Sequence, residues 1–254
     1  MSRLYLFYLF SIFSACQWSD NLMLTEKKGP RALSFNMVKD IAAPPGYERI
    51  QLSDSSFGAW LRNVPVRKDD HVYLYNGSLK KNQSAQFAVL DISVGKKDLQ
   101  QCADAVMRLR AEYLFSQKRY HEIEFRDNAG KAYKWTGNND RPAFDRYLET
   151  VFGWCGSASL EKQLSPVTDI SAIQPGDVFI KGGFPGHAMI VMDVAVNTKG
   201  SKVFMLAQSY MPAQDIHIVR NPRKIEVSPW YDTSEMTEVG TPEWTFYKEQ
   251  LRKW

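Results

Sequence analysis

The 254-residue chain carries 32 Lys and Arg against 28 Asp and Glu, a formal net charge of +4, with 44% hydrophobic residues and three cysteines. That balance is too near neutral to mark a nucleic-acid-binding surface, and three cysteines are too few for a disulfide framework. The length suits one large domain, or a domain with a small lobe, with enough chain to bury an ample core.

The first stretch holds one basic residue, Arg3, an apolar run from Leu4 to Phe13, and then Ser14-Ala15-Cys16. The run falls far short of the roughly 20 residues that cross a bilayer, so it reads as a secretory signal. Small residues directly before a cysteine resemble a bacterial lipobox, with Phe13 where Leu is usual. The resemblance implies cleavage before Cys16 and lipid attachment there. The expected organisation is a lipoprotein signal over residues 1–15, a polar tether over 16–40, and a single folded domain over 41–254. The mature chain is expected as a monomer, outside the cytoplasm at the bacterial cell envelope, held to the membrane by its lipid. Losing the leader removes only Arg3 and leaves 31 basic against 28 acidic residues, net +3.

Within the domain, Phe57 to Leu61 reads as a short helix, and His71 to Tyr75 and Ala85 to Asp91 as strands around a polar turn. A long helix follows, with Asp98 as its N-cap and Cys102 in its first turn; it has no Gly or Pro inside. Glu122 to Arg126 and Lys131 to Trp135 flank Asp127-Asn-Ala-Gly130 as a hairpin. Asp140 caps a helix to about Phe152, ended by Gly153-Trp-Cys155-Gly156. Strands follow at Val178 to Ile180, His187 to Val194, Lys202 to Ser209 and up to Val219. Thr241-Pro242 looks like the start of a C-terminal helix with Trp244, Tyr247, Leu251 and Trp254 on one face.

Cys102 stands where unpaired backbone N–H groups and the helix dipole favour a thiolate, so its pKa is expected to fall from about 8.5. The competing reading is that Cys102, Val106, Leu109 and Tyr113 form an apolar stripe, which makes the cysteine core. Cys155 lies past a helix C-terminus, where a thiolate is disfavoured, and a Cys102–Cys155 disulfide is a further alternative. Later in the chain, His187 opens an apolar strand behind the Phe184-Pro185-Gly186 turn, and the amide of Gln208 emerges from the next strand within reach of the imidazole.

Gly176-Asp177-Val178, Gly186-His187-Ala188-Met189-Ile190-Val191 and Ala207-Gln208-Ser209 resemble motifs of CHAP and NlpC-type papain-like hydrolases. In those families a cysteine at a helix start comes earlier in the chain, the slot that Gln101-Cys102 fills. The resemblance implies an α+β, papain-like fold, with a central antiparallel sheet and the cysteine-bearing helix packed on it. It also implies a Cys102 nucleophile, a His187 base and Gln208 to orient the ring. Gln208 departs from the CHAP pattern, which has an acidic residue there. Asp98-Leu-Gln-Gln-Cys-Ala-Asp-Ala-Val-Met-Arg-Leu-Arg-Ala-Glu-Tyr113, Pro185-Gly-His187 and Ala207-Gln-Ser-Tyr-Met-Pro-Ala-Gln214 are similar to a bacterial lipoprotein family known as domain of unknown function 4846.

The backbone N–H of Cys102, with Gln100 or Gln101, is positioned to hold an oxyanion, and Arg108, Tyr210 and Gln214 are candidate substrate contacts. Asp104 and Arg108 read as an exposed i, i+4 pair. His71, His121 and His217 lack metal-ligand spacing and no Gly-rich phosphate loop is present, so neither a metal nor another cofactor is expected. The expected activity is cysteine hydrolysis of peptidoglycan peptide or amide bonds. The alternatives are a non-catalytic envelope protein that binds a ligand or partner, and a papain-like acyltransferase.

Overall fold

The computed structural model describes residues 33–234 and 237–254. The expected leader, Cys16 and the expected tether up to residue 32 lie outside the described residues. Leu33 and Val38 are buried in the main core, so the packed chain begins before residue 41, where the sequence reading ended its tether.

The described elements form an α+β fold. β1 (Tyr47–Arg49) is followed by α1 (Phe57–Arg62), whose cap Ser56 accepts a hydrogen bond from Ala59 N at 3.1 Å. After β2 (Gln86–Val89) comes α2 (Cys102–Ser116), then the hairpin of β3 (Glu124–Arg126) and β4 (Ala132–Lys134). α3 (Arg141–Trp154) is capped by Asp140, which accepts from Ala143 N, and buries Phe144, Leu148, Val151 and Phe152. A short α4 (Ser157–Gln163), absent from the sequence reading, follows directly.

The main sheet uses β5 (Ser165–Pro166), β6 (Val178–Lys181), β7 (His187–Asn197), β8 (Lys202–Gln208) and β9 (His217–Val219). Among the described residues it has nine strands, all paired antiparallel, in the order β2-β9-β8-β7-β6-β13-β5, where β13 is Leu251–Lys253. β1 extends the edge of β7, and β10 (Trp230–Asp232) that of β8. Side chains alternate across the sheet. Val178, Ile180, Ala188, Ile190 and Ala207 share a core with α2 and α3, whereas Phe179, Met189, Val191, Leu206 and Val219 pack on the other face with Phe246 and Leu251.

The register of β7 against β8 shifts between Val191 and Asp193. There the fully buried Asp193 carboxylate takes Arg49 Nε and Arg62 Nε, each at 2.6 Å. The bulge thereby joins β1, α1 and β7 through one charge cluster.

Three expectations need correction. No C-terminal helix forms. Thr241 Oγ1 accepts from Trp244 N at 3.1 Å and closes a turn between β11 (Glu238–Gly240) and β12 (Thr245–Tyr247), because burying Phe246 and Leu251 requires extended chain. His71 to Tyr75 makes only isolated bridges, Tyr73 with Leu79 and Leu74 with Gln214, because Tyr73 N is taken by Asp215 Oδ2. α2 is capped by Gln101, not Asp98: Gln101 N donates to Asp104 Oδ2 at 2.9 Å, while Asp98 Oδ1 accepts from Ala213 N at 2.7 Å.

Removing the Asp193 charge leaves the part-buried guanidinium groups of Arg49 and Arg62 without their carboxylate, so Asp193→Ala is expected to lower the unfolding free energy by about 3 kcal/mol, measured by urea titration.

Candidate functional site

α2 packs on β7 with its N-terminus over the first residue of that strand. Cys102 is the first helical residue, and the backbone N–H groups of Ala103, Ala188 and Cys102 itself lie near the sulfur and favour its thiolate. Two of these belong to the open end of the helix, where N–H groups have no partner in the preceding turn. The third follows His187 directly, which puts the sulfur beside the start of β7.

Strand alternation places the side chains of His187, Gln208 and His217 on the face away from α2. Cys102 and His187 therefore come from opposite layers and meet only at the strand end, where both line a cavity of about 350 Å³. Gln101, Asp104, Phe152, Cys155, Tyr210 and Trp244 contribute to its wall, and Phe184 and Met211 stand exposed at its mouth. Among the described residues no hydrogen bond joins Cys102 to the imidazole. Both Cys102 and Cys155 are free thiols, so the disulfide does not form here.

His187 is 2% exposed and packed among the rings of Tyr210, Trp244 and Phe246, with centroids 4.8, 5.2 and 5.8 Å away. Its Nε2 lies 2.8 Å from Gln208 Oε1. Gln208 Nε2 in turn donates to Glu243 Oε2 at 2.8 Å and lies 3.3 Å from His217 Nε2. Glu243 also accepts from Lys80 Nζ at 2.6 Å and from Asn82 Nδ2 at 3.2 Å.

Burial decides the protonation states. It pushes the Cys102 thiol up to about 11, the nearby Asp104 adds to this, and the three backbone N–H groups only partly oppose it. The expected lowering at the helix end is overturned because loss of water around the sulfur outweighs the helix dipole. Burial also lowers His187 to about 4, against the opposing effects of its hydrogen bond to Gln208 Oε1 and the charge of Glu243. At neutral pH the site thus holds a thiol and a neutral imidazole rather than an ion pair. Cys155 is pushed up to about 12, again chiefly by burial.

Of the residues singled out in the sequence, Cys102, His187, Gln208, Gln101 and Tyr210 come together. Gln100 and Arg108 do not: they line a separate groove, where Arg108 Nη1 donates to Gln100 Oε1 at 3.1 Å. Gln214 is buried beside Ser209, whose hydroxyl donates to its carbonyl at 2.8 Å. Arg108 pairs with Glu112 rather than Asp104, which is buried. Sequence reasoning missed Lys80, Glu243, Trp244 and the place of His217. His217 could have been found, since it alternates with Ile216 and Ile218 and so faces with Gln208; Glu243 was hidden inside the expected helix.

The family described as Domain of unknown function (4846) matches residues 37–140 and 127–253. The chain belongs to this family. The two matched stretches overlap at residues 127–140 and between them take in every residue of the site. No curated protein and no solved structure matches the chain.

Two outcomes test the site. With a thiol near 11, the thiolate fraction at pH 7 is on the order of one in ten thousand, so iodoacetamide labelling of Cys102 is expected to be slow there and to rise about tenfold per pH unit from pH 8 to 10. Peptide mapping reads it; a rate already on its plateau at pH 7 contradicts the burial argument. At Gly186 a Cβ would meet Gly183 O at 2.3 Å, Ser157 Oγ at 2.7 Å and Lys181 O at 2.8 Å. Gly186→Ala is accordingly expected to cost roughly 1–3 kcal/mol in thermal or urea unfolding and to displace His187.

Proposed function

We propose that this protein is a lipid-anchored cell-envelope cysteine hydrolase of papain-like type, acting on an amide or ester, with peptidoglycan peptide or amide bonds as the substrate class suited to that compartment. The observation that carries the reading is the convergence on one cavity of a free thiol at the open end of a helix and an imidazole with its own amide partner. The lipobox-like Ser14-Ala15-Cys16 supports the anchor. The cysteine helix followed by strands bearing His187 and Gln208 supports the papain-like type.

In this mechanism the substrate carbonyl carbon enters beside Cys102. His187 takes the thiol proton as the sulfur attacks, so the charged pair exists only during reaction. The N–H groups of the helix end stabilise the oxyanion, and the imidazolium returns its proton to the leaving group. Water then releases the acyl group from sulfur.

A second reading, acyl transfer from a lipid donor, is favoured by the cavity wall. Its large side chains are Phe152, Phe184, Tyr210, Met211 and Trp244, and no Lys or Arg is among the lining residues. Phe184 is 96% and Met211 57% exposed at the mouth, which suits an apolar chain better than the carboxylates of a stem peptide.

Intact-mass analysis after incubation with an activated acyl ester is expected to show one acyl group on Cys102. Cys102→Ala removes it, Cys155→Ala keeps it, and His187→Ala slows it by about a hundredfold or more. Passage of a long-chain acyl group from Cys102 to an added acceptor in preference to water selects the second reading. Absence of any acyl-enzyme, with muropeptide still bound, leaves a non-catalytic binding protein.

A further inference from the structure

We propose that Glu243, braced by Lys80, is a positioning residue that selects the tautomer of His187 through the side-chain amide of Gln208. The proposal rests on the reading of His187 as the group that takes the thiol proton, but the tautomer itself can be read without any turnover.

The Glu243 carboxylate only accepts, and its other neighbours both donate to it: Lys80 Nζ at 2.6 Å on Oε2 and Asn82 Nδ2 at 3.2 Å on Oε1, with the Gln208 amide 2.8 Å from Oε2. The Gln208 atom facing this carboxylate must therefore be its NH₂. Its carbonyl oxygen then faces His187 Nε2 at 2.8 Å, and an oxygen there requires Nε2 to carry the hydrogen. Nδ1, which makes no hydrogen bond among the described residues, is left with the lone pair.

A second partner checks the assignment independently. His217 Nδ1 lies 2.9 Å from the backbone oxygen of Asp215, so Nδ1 is the protonated nitrogen of that ring. Its bare Nε2 accepts the other N–H of Gln208 at 3.3 Å. Flipping the amide would set oxygen against the Glu243 carboxylate and against the His217 lone pair, and would force the opposite tautomer on His187. With His187, Gln208 and His217 all at most 2% exposed, water is not at hand to repair either clash.

The chemical consequence concerns the thiol proton. A general base needs a lone pair toward the proton it removes. With Nε2 committed to Gln208, only Nδ1 can serve. In the other tautomer the ring would offer Cys102 a hydrogen instead. Glu243 and Lys80 touch neither substrate nor sulfur in this scheme; they act through Gln208.

The test is long-range ¹H–¹⁵N correlation spectroscopy of histidine rings in the ¹⁵N-labelled protein at pH 7, with acyl-enzyme formation measured alongside. In the wild type, His187 is expected in the Nε2–H form and His217 in the Nδ1–H form. Glu243→Leu removes the acceptor that faces the amide, so the Nδ1–H form of His187 is expected to become populated. The acylation rate constant of Cys102 then falls at least tenfold with little change in the ester concentration at half-saturation, while Glu243→Asp recovers part of both signals.

Wild-type His187 in the Nδ1–H form overturns the proposal, whether or not any variant folds. So does a folded Glu243→Leu protein with an unchanged His187 pattern. Expected tautomers with no acyl-enzyme sink the hydrolase and leave the positioning intact, whereas acylation with a tautomer indifferent to Glu243 does the reverse.

Discussion

β7 is buried without interruption from His187 to Ala195, with α2 against one face and the β11–β12 hairpin against the other. A strand covered on both sides reads as a continuous apolar run, as Ala188-Met-Ile-Val-Met192 does. Layers on the two faces of a sheet are separated by its thickness, with stacked sheets about 10 Å apart, so a group on α2 and a group on the far face cannot meet in mid-strand. They meet at the first residue, where the sheet ends and the helix N-terminus projects past it. The position of His187 at that boundary is what brings an imidazole to the cavity that Cys102 lines.

Burying polar groups that deeply has a cost, and the chain meets it in two different ways. At the bulge of β7, one carboxylate is compensated by two arginines, which ties strand, helix and edge together. At the His187 end, an amide and two imidazoles are satisfied in sequence, and an ion pair between Lys80 and Glu243 ends the chain. Such an ion pair adds little net stability after desolvation, but a buried polar chain with one consistent assignment fixes orientation. Here the orientation it fixes belongs to the ring on the cavity wall.

The same burial explains why the reactive groups rest in neutral forms. A helix N-terminus favours a thiolate, yet Cys102 has lost most of its water and has a buried acid two residues on. The two effects oppose one another, and desolvation is the larger. A site of this kind keeps its thiol protonated until a substrate and a base draw the proton away.

Much of this was legible in residue order. Helix formers without Gly or Pro announced α2, Asp140 announced α3, and the apolar runs around Val178, His187 and Lys202 announced three adjacent strands, because these signals are local and periodic. Cys102, His187 and Gln208 were legible as chemistry placed at element starts and ends. What residue order could not supply was anything that depends on which faces are covered. Thr241-Pro242-Glu243 carries the marks of a helix start, and only the demand to bury Phe246 and Leu251 against the sheet turned it into a hairpin and carried Glu243 to Gln208. The ionisation of Cys102, the separation of Gln100 and Arg108 from the cavity, and the partnership of Lys80 with a residue 163 positions away were likewise decided by tertiary packing. Local sequence sets backbone preference, but desolvation and long-range hydrogen bonding exist only once the layers have closed.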